Sequence, residues 1–336
     1  MKYTYIHVGE ENDYSKFYID CSVNDCNNVY YSRLPNEHLG LMMRSLFRVH
    51  NAHPINKIVC LPFRKIWAGK IIDPKIKQAI SKKDNCFLIS GLQYRYAELG
   101  FIKYLRNNYP NCKIVYLFPD KVSKYLKFFP NMRVESLKVQ FDLVITYNYY
   151  DATEFGLVVS PPKLAKYPEA IIQSNLPNTD VFFVGQDKGR YNDIIAVYEK
   201  CVDEGLICDF WIVGVDKECQ KYSDSISYNT HLTYIEVLQH LNASKAVLNI
   251  MQPGTSGLTL RDYEAIGMNK VLITNSHAIQ NTEFYKSEKV IFVDENTPYK
   301  RKVMNSDNYQ WNCKNALSSA SWYEWLDRKL VEEYIE

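Results

Sequence analysis

Between Gln252 and Asn275 the chain reads QPGTSGLTLRDYEAIGMNKVLITN. Gly254, Thr255, Ser256, Gly257 and Thr259 make a turn of small and hydroxyl-bearing residues that runs into a short helix. The first N–H groups of such a helix lack intrahelical partners and, with the helix dipole, favour an anion, typically phosphate. Arg261, in the first turn, adds a bidentate charge-assisted donor. Glu264, one turn further on, is spaced to accept from the hydroxyl pair of a ribose. The competing structural reading is a capped core helix, with Thr259 and Asp262 as the cap and Gly267 as the stop.

A second stretch, DVFFVGQDKGRYNDI, ends a strand at Gly185 and places Lys188, Gly189 and Arg190 before a helix. A glycine at the carboxyl end of a strand lets a ligand approach the backbone, and two cations in one turn suit a diphosphate. The alternative is a solvated turn. Both cationic turns follow strands of one sheet, so they converge on a single anion. A third stretch, DFWIVGVD, ends a strand at Gly214. The passage HLTYIEVLQHLNASKAVLNI then brings Thr233 and Tyr234 to the same rim, where a nucleobase would sit. Core packing or helix capping competes with that reading for both.

The elements that must position these residues repeat a simple alternation. Strands are expected at Tyr3–Val8, Val29–Ser32, Lys57–Pro62, Cys86–Ser90, Lys113–Phe118 and Leu143–Tyr147, with helices at Glu37–Val49, Pro74–Lys82, Tyr96–Asn107 and Lys121–Phe128. Short apolar strands separated by helices predict a mostly parallel sheet covered on both faces. The segment Val158–Asn178 carries four prolines and reads as a linker.

After the linker the alternation restarts. Strands are expected at Asp180–Val184, Cys208–Val213, Ala246–Ile250, Val271–Thr274 and Val290–Val293, with helices at Tyr191–Glu204, Thr233–Leu241 and Leu260–Ile266. The last 18 residues, SASWYEWLDRKLVEEYIE, form an amphipathic helix opened by a Ser321/Glu324 capping box. Trp322, Trp325, Leu326, Leu330, Val331 and Tyr334 give it an apolar face that must dock on one domain. A chain of 336 residues exceeds one hydrophobic core. The expected division is residues 1–165, a Rossmann-like acceptor domain; 166–305, a Rossmann-like nucleotide-sugar domain; and 306–336, a helical segment. The fold class is α/β, with two parallel sheets facing a central cleft where strand carboxyl ends hold the ligand.

Composition excludes several classes. The apolar fraction of 46% and charged fraction of 23% are ordinary for a soluble globular protein. Nine dispersed cysteines without a C-x-x-C pair imply reduced thiols and a cytoplasmic setting. No apolar run of signal-peptide or transmembrane length occurs. The net charge of +2 conceals an asymmetry: residues 1–165 hold 23 Lys and Arg against 14 Asp and Glu, a balance of +9. The remaining residues hold 17 against 24, a balance of −7. Phe63–Lys83 alone carries seven basic residues and one acidic residue, interleaved with Ile, Trp and Phe, a pattern that adsorbs to anionic lipid headgroups. A solvated helix flanked by turns is the plainer reading. No nucleic-acid motif or stacking platform is evident, so no nucleic-acid partner is expected.

The second half resembles the nucleotide-sugar domain of GT-B fold glycosyltransferases, particularly bacterial enzymes that build capsule, lipopolysaccharide or exopolysaccharide. FFVGQDKGR is similar to their first strand and basic turn, IVGVD to the second strand, and YIEVLQHLNASKAVLNI to the helix and strand before the donor loop. SGLTLRDYEAIGMNKVLITN is similar to the donor loop and ribose helix. The resemblance spans Asp180 to Val293 and implies a terminal helix that crosses back to the first domain.

The resemblance also implies roles. Glu264 matches the second glutamate of a Glu-x7-Glu pattern, which holds the donor ribose. Lys188 and Arg190 match the basic turn that neutralises the diphosphate, and Thr255–Thr259 matches the loop whose amides hold the distal phosphate. The first glutamate is replaced by Ser256, which leaves the transferred sugar and the stereochemical outcome open.

The expected activity is therefore transfer of a sugar from a nucleoside-diphosphate sugar to a glycan or lipid-linked acceptor, with peripheral contact to an anionic membrane surface. Arg261, Lys188 and Arg190 stabilise the leaving diphosphate. Glu264, Gly185, Gly214, Tyr234, Thr255, Ser256, Gly257 and Thr259 bind the nucleotide. No Asp-x-Asp motif or ligand-spaced cluster is present, so neither a metal nor a cofactor is expected. His7, Glu98 and Asp120 are admissible general bases on the acceptor side. Two alternatives stand beside this reading: a nucleotide-sugar epimerase, and a non-catalytic transferase-like partner subunit.

Overall fold

A computed structural model describes residues 1–10, 13–52, 63–80, 84–161, 167–255, 257–312 and 318–332. The chain divides into two compact units. One comprises Met1–Lys163 with Ser319–Glu336, and the other Leu164–Ser318. Residues 306–318 therefore stay with the second unit, while the terminal helix, Ser319–Glu332, belongs to the first.

The first unit is built on six strands: β1 Thr4–Val8, β2 Val29–Ser32, β3 Asn85–Ser90, β4 Lys113–Phe118, β5 Leu143–Thr146 and β6 Val158–Val159. They lie in the order β2-β1-β3-β4-β5-β6, every neighbour parallel. Strand alternation divides the side chains between two cores. Ile6, Phe87, Ile89, Ile114 and Tyr116 pack on one face. Tyr5, Cys86, Leu88 and Val115 pack on the other, beneath Trp322, Tyr323, Leu326 and Leu330 of the terminal helix. That helix is fastened by polar bonds as well: Tyr5 Oη donates to Asp327 Oδ1 at 2.5 Å, and Trp322 Nε1 donates to Ser160 Oγ at 3.0 Å. The expected return of the terminal helix to the first domain is thus observed. It begins at Ser319, two residues before the capping box read from the sequence, so Ser321 lies inside the first turn.

Two expected helices are interrupted. Glu37–Val49 divides into Pro35–His38 and Leu41–Asn51, with extended backbone at Leu39 and Gly40. Tyr96–Asn107 divides into a 3-10 segment, Gly91–Leu99, and an α-helix, Phe101–Asn108. Gly100, at φ 75°, makes the break. The crossover between β1 and β2 is a helix the sequence pattern did not single out, α1 Asp13–Asp25. The strand expected at Lys57–Pro62 lies outside the described residues.

The second unit repeats the plan with β7 Thr179–Gln186, β8 Cys208–Val213, β9 Ile226–Tyr228, β10 Ser244–Asn249, β11 Val271–Thr274 and β12 Val290–Phe292. Their order is β12-β11-β10-β7-β8-β9, again all parallel. The helices that matter below are α2 Tyr191–Asp203, α3 Tyr234–Ala243 and α4 Leu260–Gly267. Val181, Phe183, Ile212, Leu248 and Ile273 share one apolar core with Ile194 and Val197 of α2.

Cys21, Cys26, Cys86, Cys112, Cys201, Cys208 and Cys219 are free thiols, the first five buried; Cys60 and Cys313 lie outside the described residues. Among the described residues, no helix is long and apolar enough to cross a membrane.

Candidate functional site

In the second unit β7 and β10 lie side by side, so the turns leaving their carboxyl ends meet. Between them is a cavity of about 220 Å³ walled by Lys188, Arg190, Asn249, Gln252, Thr255, Thr259 and Arg261 together with apolar groups, with no carboxylate among the described residues of the wall.

The turn after β7 takes its shape from its own residues. Lys188 (φ 47°) and Gly189 (φ 80°) are both left-handed, and the Asp187 carboxylate accepts from the amides of Arg190 (3.1 Å) and Tyr191 (2.8 Å). This caps the start of α2. The Arg190 guanidinium lies against the strand ends: it donates to Gln186 O at 3.1 and 3.2 Å and to Ile250 O, and stands 5.7 Å from the centre of the Phe183 ring. Gly185 makes room for it, because a Cβ there would come within 2.8 Å of Arg190 Nη2. Burial, followed by the charge of Arg261, lowers the Arg190 pKa from its ordinary value. Two guanidiniums reach one cavity, a lining suited to an anion, and one of them is also paired with a carboxylate behind the wall.

On the other side, α4 is held by a buried polar knot. Asp262 accepts from the Thr259 amide at 2.6 Å and its hydroxyl at 2.9 Å, and Asn249 Nδ2 donates at 2.9 Å to both Asp262 oxygens and to Thr259 Oγ1. Burial raises the Asp262 pKa, and these hydrogen bonds oppose the shift. Thr259 thus caps α4 and lines the cavity at once. The preceding turn closes through Thr255, whose hydroxyl and amide both donate to Gln252 O, at 2.6 and 3.2 Å.

Behind Arg261 lies Glu264, fully buried. One of its oxygens accepts from Tyr234 Oη at 2.7 Å and the other pairs with Arg261. Burial pushes the carboxyl pKa up, while Arg261 and the Tyr234 hydroxyl push it down. Arg261 itself reaches the cavity at 18% exposure.

Of the residues singled out by sequence, Lys188, Arg190, Thr255, Thr259 and Arg261 therefore share one wall. Gly185 stands behind Arg190. Tyr234 and Glu264 are buried behind Arg261 and do not form the wall. Gly257 (φ 85°) shapes the turn before α4, and Ser256 lies outside the described residues. Gly214 (φ 87°) is elsewhere, at the end of β8, with its amide donating to Asn229 Oδ1 at 2.8 Å. Sequence reasoning missed Asn249 and Phe183. A polar residue closing the apolar strand of AVLNI was the available signal for the first.

The three base candidates in the first unit are not brought together. His7 is buried and bonded to Tyr323 Oη at 2.8 Å, beneath the terminal helix. Asp120 pairs with Lys124 at 2.8 Å, and Glu98 is exposed on the 3-10 segment. Among the described residues, no group of three or more His, Cys, Asp or Glu is placed to hold a metal ion.

No protein-family model and no curated protein matches the sequence. The fold does match solved structures. An alpha-glucosyltransferase in complex with UDP-glucose and DNA containing an abasic site aligns at TM-score 0.59 and 11% identity, over 97% of this chain and 98% of that one. An alpha-glucosyltransferase in complex with UDP and a 13-mer DNA containing a central A:G mismatch aligns at 0.60 and 12% identity, over 97% and 98%. A UDP-N-acetylglucosamine 2-epimerase from Rickettsia bellii covers 98% of this chain and 94% of its own at 10% identity, but its TM-score of 0.45 lends nothing to the epimerase alternative. At these identities the likeness defines the fold, the two-domain α/β architecture of GT-B glycosyltransferases. Nothing in it singles out the surface-polysaccharide type.

Proposed function

We propose that the protein transfers a sugar from a nucleoside-diphosphate sugar to an acceptor hydroxyl. The observation that carries this reading is the convergence of Lys188, Arg190 and Arg261 on one cavity at adjacent strand ends. Leaving of the nucleoside diphosphate puts negative charge on its oxygens, and fixed cations in a partly desolvated site stabilise that charge. The amides at the start of α4 add their dipole. In this proposal Arg261 leaves Glu264 for the diphosphate, which frees a Glu264 oxygen for the ribose. The three cations serve the leaving group in place of a metal.

The acceptor in this reading is a glycan or lipid-linked hydroxyl met at the cytoplasmic face of an anionic membrane. It is supported by the helix Leu41–Asn51, where Leu41 and Met42 are each 80% exposed, Leu46 and Val49 are also exposed, and Arg44 and Arg48 accompany them. Apolar side chains beside arginines on one short helix suit insertion among acidic headgroups. DNA is a second acceptor reading, opposed to the expectation of no nucleic-acid partner. The complexes of the two alpha-glucosyltransferases with DNA favour it, as does the +9 balance of residues 1–165.

Thermal-shift titration with UDP, GDP, CDP and ADP in the presence of EDTA tests the donor site. A hundredfold excess over Kd stabilises by about 2.7 kcal/mol, so one base is expected to raise Tm, and Arg261→Ala with Lys188→Ala to abolish the rise. Transfer from the matching nucleotide sugars is then followed into lipid-linked oligosaccharide in anionic vesicles and into duplex DNA. Nucleotide sugar returned with an inverted sugar centre supports the epimerase. Nucleotide binding without sugar release, together with co-purification of an active transferase, supports the partner subunit. If no nucleotide shifts Tm, the donor reading fails.

A further inference from the structure

The basic run Phe63–Lys83 and the helix Leu41–Asn51 meet in the first unit. Trp67, in the 3-10 segment Arg64–Lys70, is buried. Its ring stands 5.2 Å from that of Phe47, edge to face, and its Nε1 donates to His50 Nδ1 at 2.9 Å. The inner faces of the two elements are thus packed on each other, yet both also carry apolar side chains that face water. On the helix Met42, Leu46 and Val49 stand at i, i+4 and i+7, one stripe, and all three are exposed together with Leu41. Beside the segment, Phe63 and Ile66 are 79% and 52% exposed. Phe63 holds φ 59°. Left-handed backbone is unfavourable for a bulky residue, and such strain without burial in return points to a functional reason.

Charge on this surface has one sign. Leu41–Asn51 and Phe63–Ile72 contain Arg44, Arg48, Arg64, Lys65 and Lys70 and no acidic residue. None of the five cations forms an ion pair among the described residues. The nearest acids in sequence are engaged elsewhere, Glu37 with Lys16 at 3.6 Å and Asp73 with Arg33 at 2.7 Å. The Nε atoms of Arg44 and Arg64 are buried without a hydrogen-bond partner among the described residues. Exposed apolar side chains among unneutralised cations fit a partner that offers hydrocarbon and anions together. A second copy of this chain does not, because self-complementary pairing would set the same cations against each other. Duplex DNA offers phosphates but no layer of hydrocarbon for Leu41, Met42 and Phe63 to enter.

We propose that this surface is a membrane anchor of two elements: the exposed apolar side chains of the helix, with Phe63 and Ile66, enter the acyl boundary of an anionic leaflet, and the five cations lie among its phosphates. The anchor deepens the membrane reading above and rests on it for the acceptor, whereas the binding itself needs neither nucleotide nor acceptor. Headgroup attraction, which salt screens, brings the chain to the leaflet. Apolar insertion, which salt does not screen, holds it there.

Sedimentation of the full chain with vesicles of phosphatidylcholine, alone or mixed with phosphatidylglycerol, tests the anchor, and a short DNA duplex serves as the competing polyanion. Binding to the mixed vesicles is expected to exceed binding to phosphatidylcholine by at least about tenfold. Phe63→Ser, and Met42→Ser combined with Leu46→Ser, each weaken vesicle binding about tenfold. Tm stays unchanged in both, because these side chains are exposed. Arg48→Gln combined with Lys65→Gln weakens binding to mixed vesicles and leaves the residual binding to phosphatidylcholine in place. Wild type that stays off mixed vesicles overturns the anchor. So does vesicle binding within twofold of wild type in either apolar variant, which reduces the surface to electrostatic adsorption or to one element. Duplex that displaces the chain from mixed vesicles, and whose own binding falls equally in the apolar variants, assigns the surface to DNA and overturns the anchor as well. The nucleotide shift judges the donor site separately. A chain that binds mixed vesicles but no nucleotide keeps the anchor and loses sugar transfer, and one that binds nucleotide but no vesicle does the reverse.

Discussion

Arg261 and Glu264 stand three residues apart, a spacing at which helical side chains touch, and in the folded chain they do. The sequence placed Arg261 on a diphosphate and Glu264 on a ribose, which leaves out their attraction to each other. What could not be read locally is the burial of Glu264, because Tyr234, which donates to it, lies thirty residues away on α3. The proposed exchange of Arg261 between Glu264 and a diphosphate makes a divided prediction for Glu264→Gln. Release of Arg261 strengthens binding of inorganic pyrophosphate, while loss of the carboxylate weakens binding of the nucleoside diphosphate. Each change is expected to be about tenfold, near 1.4 kcal/mol. Calorimetric titration with the two ligands separates them, and parallel changes in both would sink the exchange. Gly185→Ala acts on the neighbouring cation. Its Cβ displaces the Arg190 guanidinium from the Gln186 and Ile250 carbonyls, so nucleotide affinity is expected to fall several-fold in the same titration.

At the level of elements, strands were the most legible feature. Val29–Ser32, Lys113–Phe118, Cys208–Val213 and Val271–Thr274 are observed with the bounds their apolar runs suggest. Helices suffered where glycine intervenes, as at Gly40 and Gly100, since apolar periodicity continues through a residue that breaks the backbone. The short edge strands β6 and β9, of two and three residues, carry too little pattern to stand out. The cation cluster was legible because its parts follow two recognisable strands. The hydrogen bond from Ser90 to Glu10 was not, because only the pairing of β1 with β3 brings residues eighty apart in sequence together. The start of α4 offers an element-scale test. Asp262→Ala removes the acceptor for the Thr259 amide and hydroxyl and leaves Asn249 without its two carboxylate bonds. A loss of about 2 kcal/mol in urea unfolding is expected, at the upper end for a helix cap because the groups left behind are buried.

Across the whole molecule the 27 tyrosines have a consequence for stability. Tyr5, Tyr116, Tyr147 and Tyr323 have pKa values raised above 10.0, burial being the largest cause in each. A raised phenol pKa contributes stability that is complete below the unfolded value and is lost as pH climbs from there toward the folded one. Tm is accordingly expected to fall steeply above about pH 10. Tyrosinate absorbance should appear together with loss of the far-ultraviolet helix signal. Smooth tyrosine titration in a chain that stays folded would contradict this.

The placement of Ser319–Glu332 on the first sheet also fixes an order of events during synthesis. Every residue of the second unit leaves the ribosome before that helix does. The half of the protein encoded later is therefore the half that can finish folding earlier. Until translation reaches Leu330, the first sheet keeps Tyr5, Cys86, Leu88 and Val115 uncovered on one face. A nascent chain stalled near residue 318 would carry that surface bare, and such a surface is what chaperones bind and what aggregates when they do not.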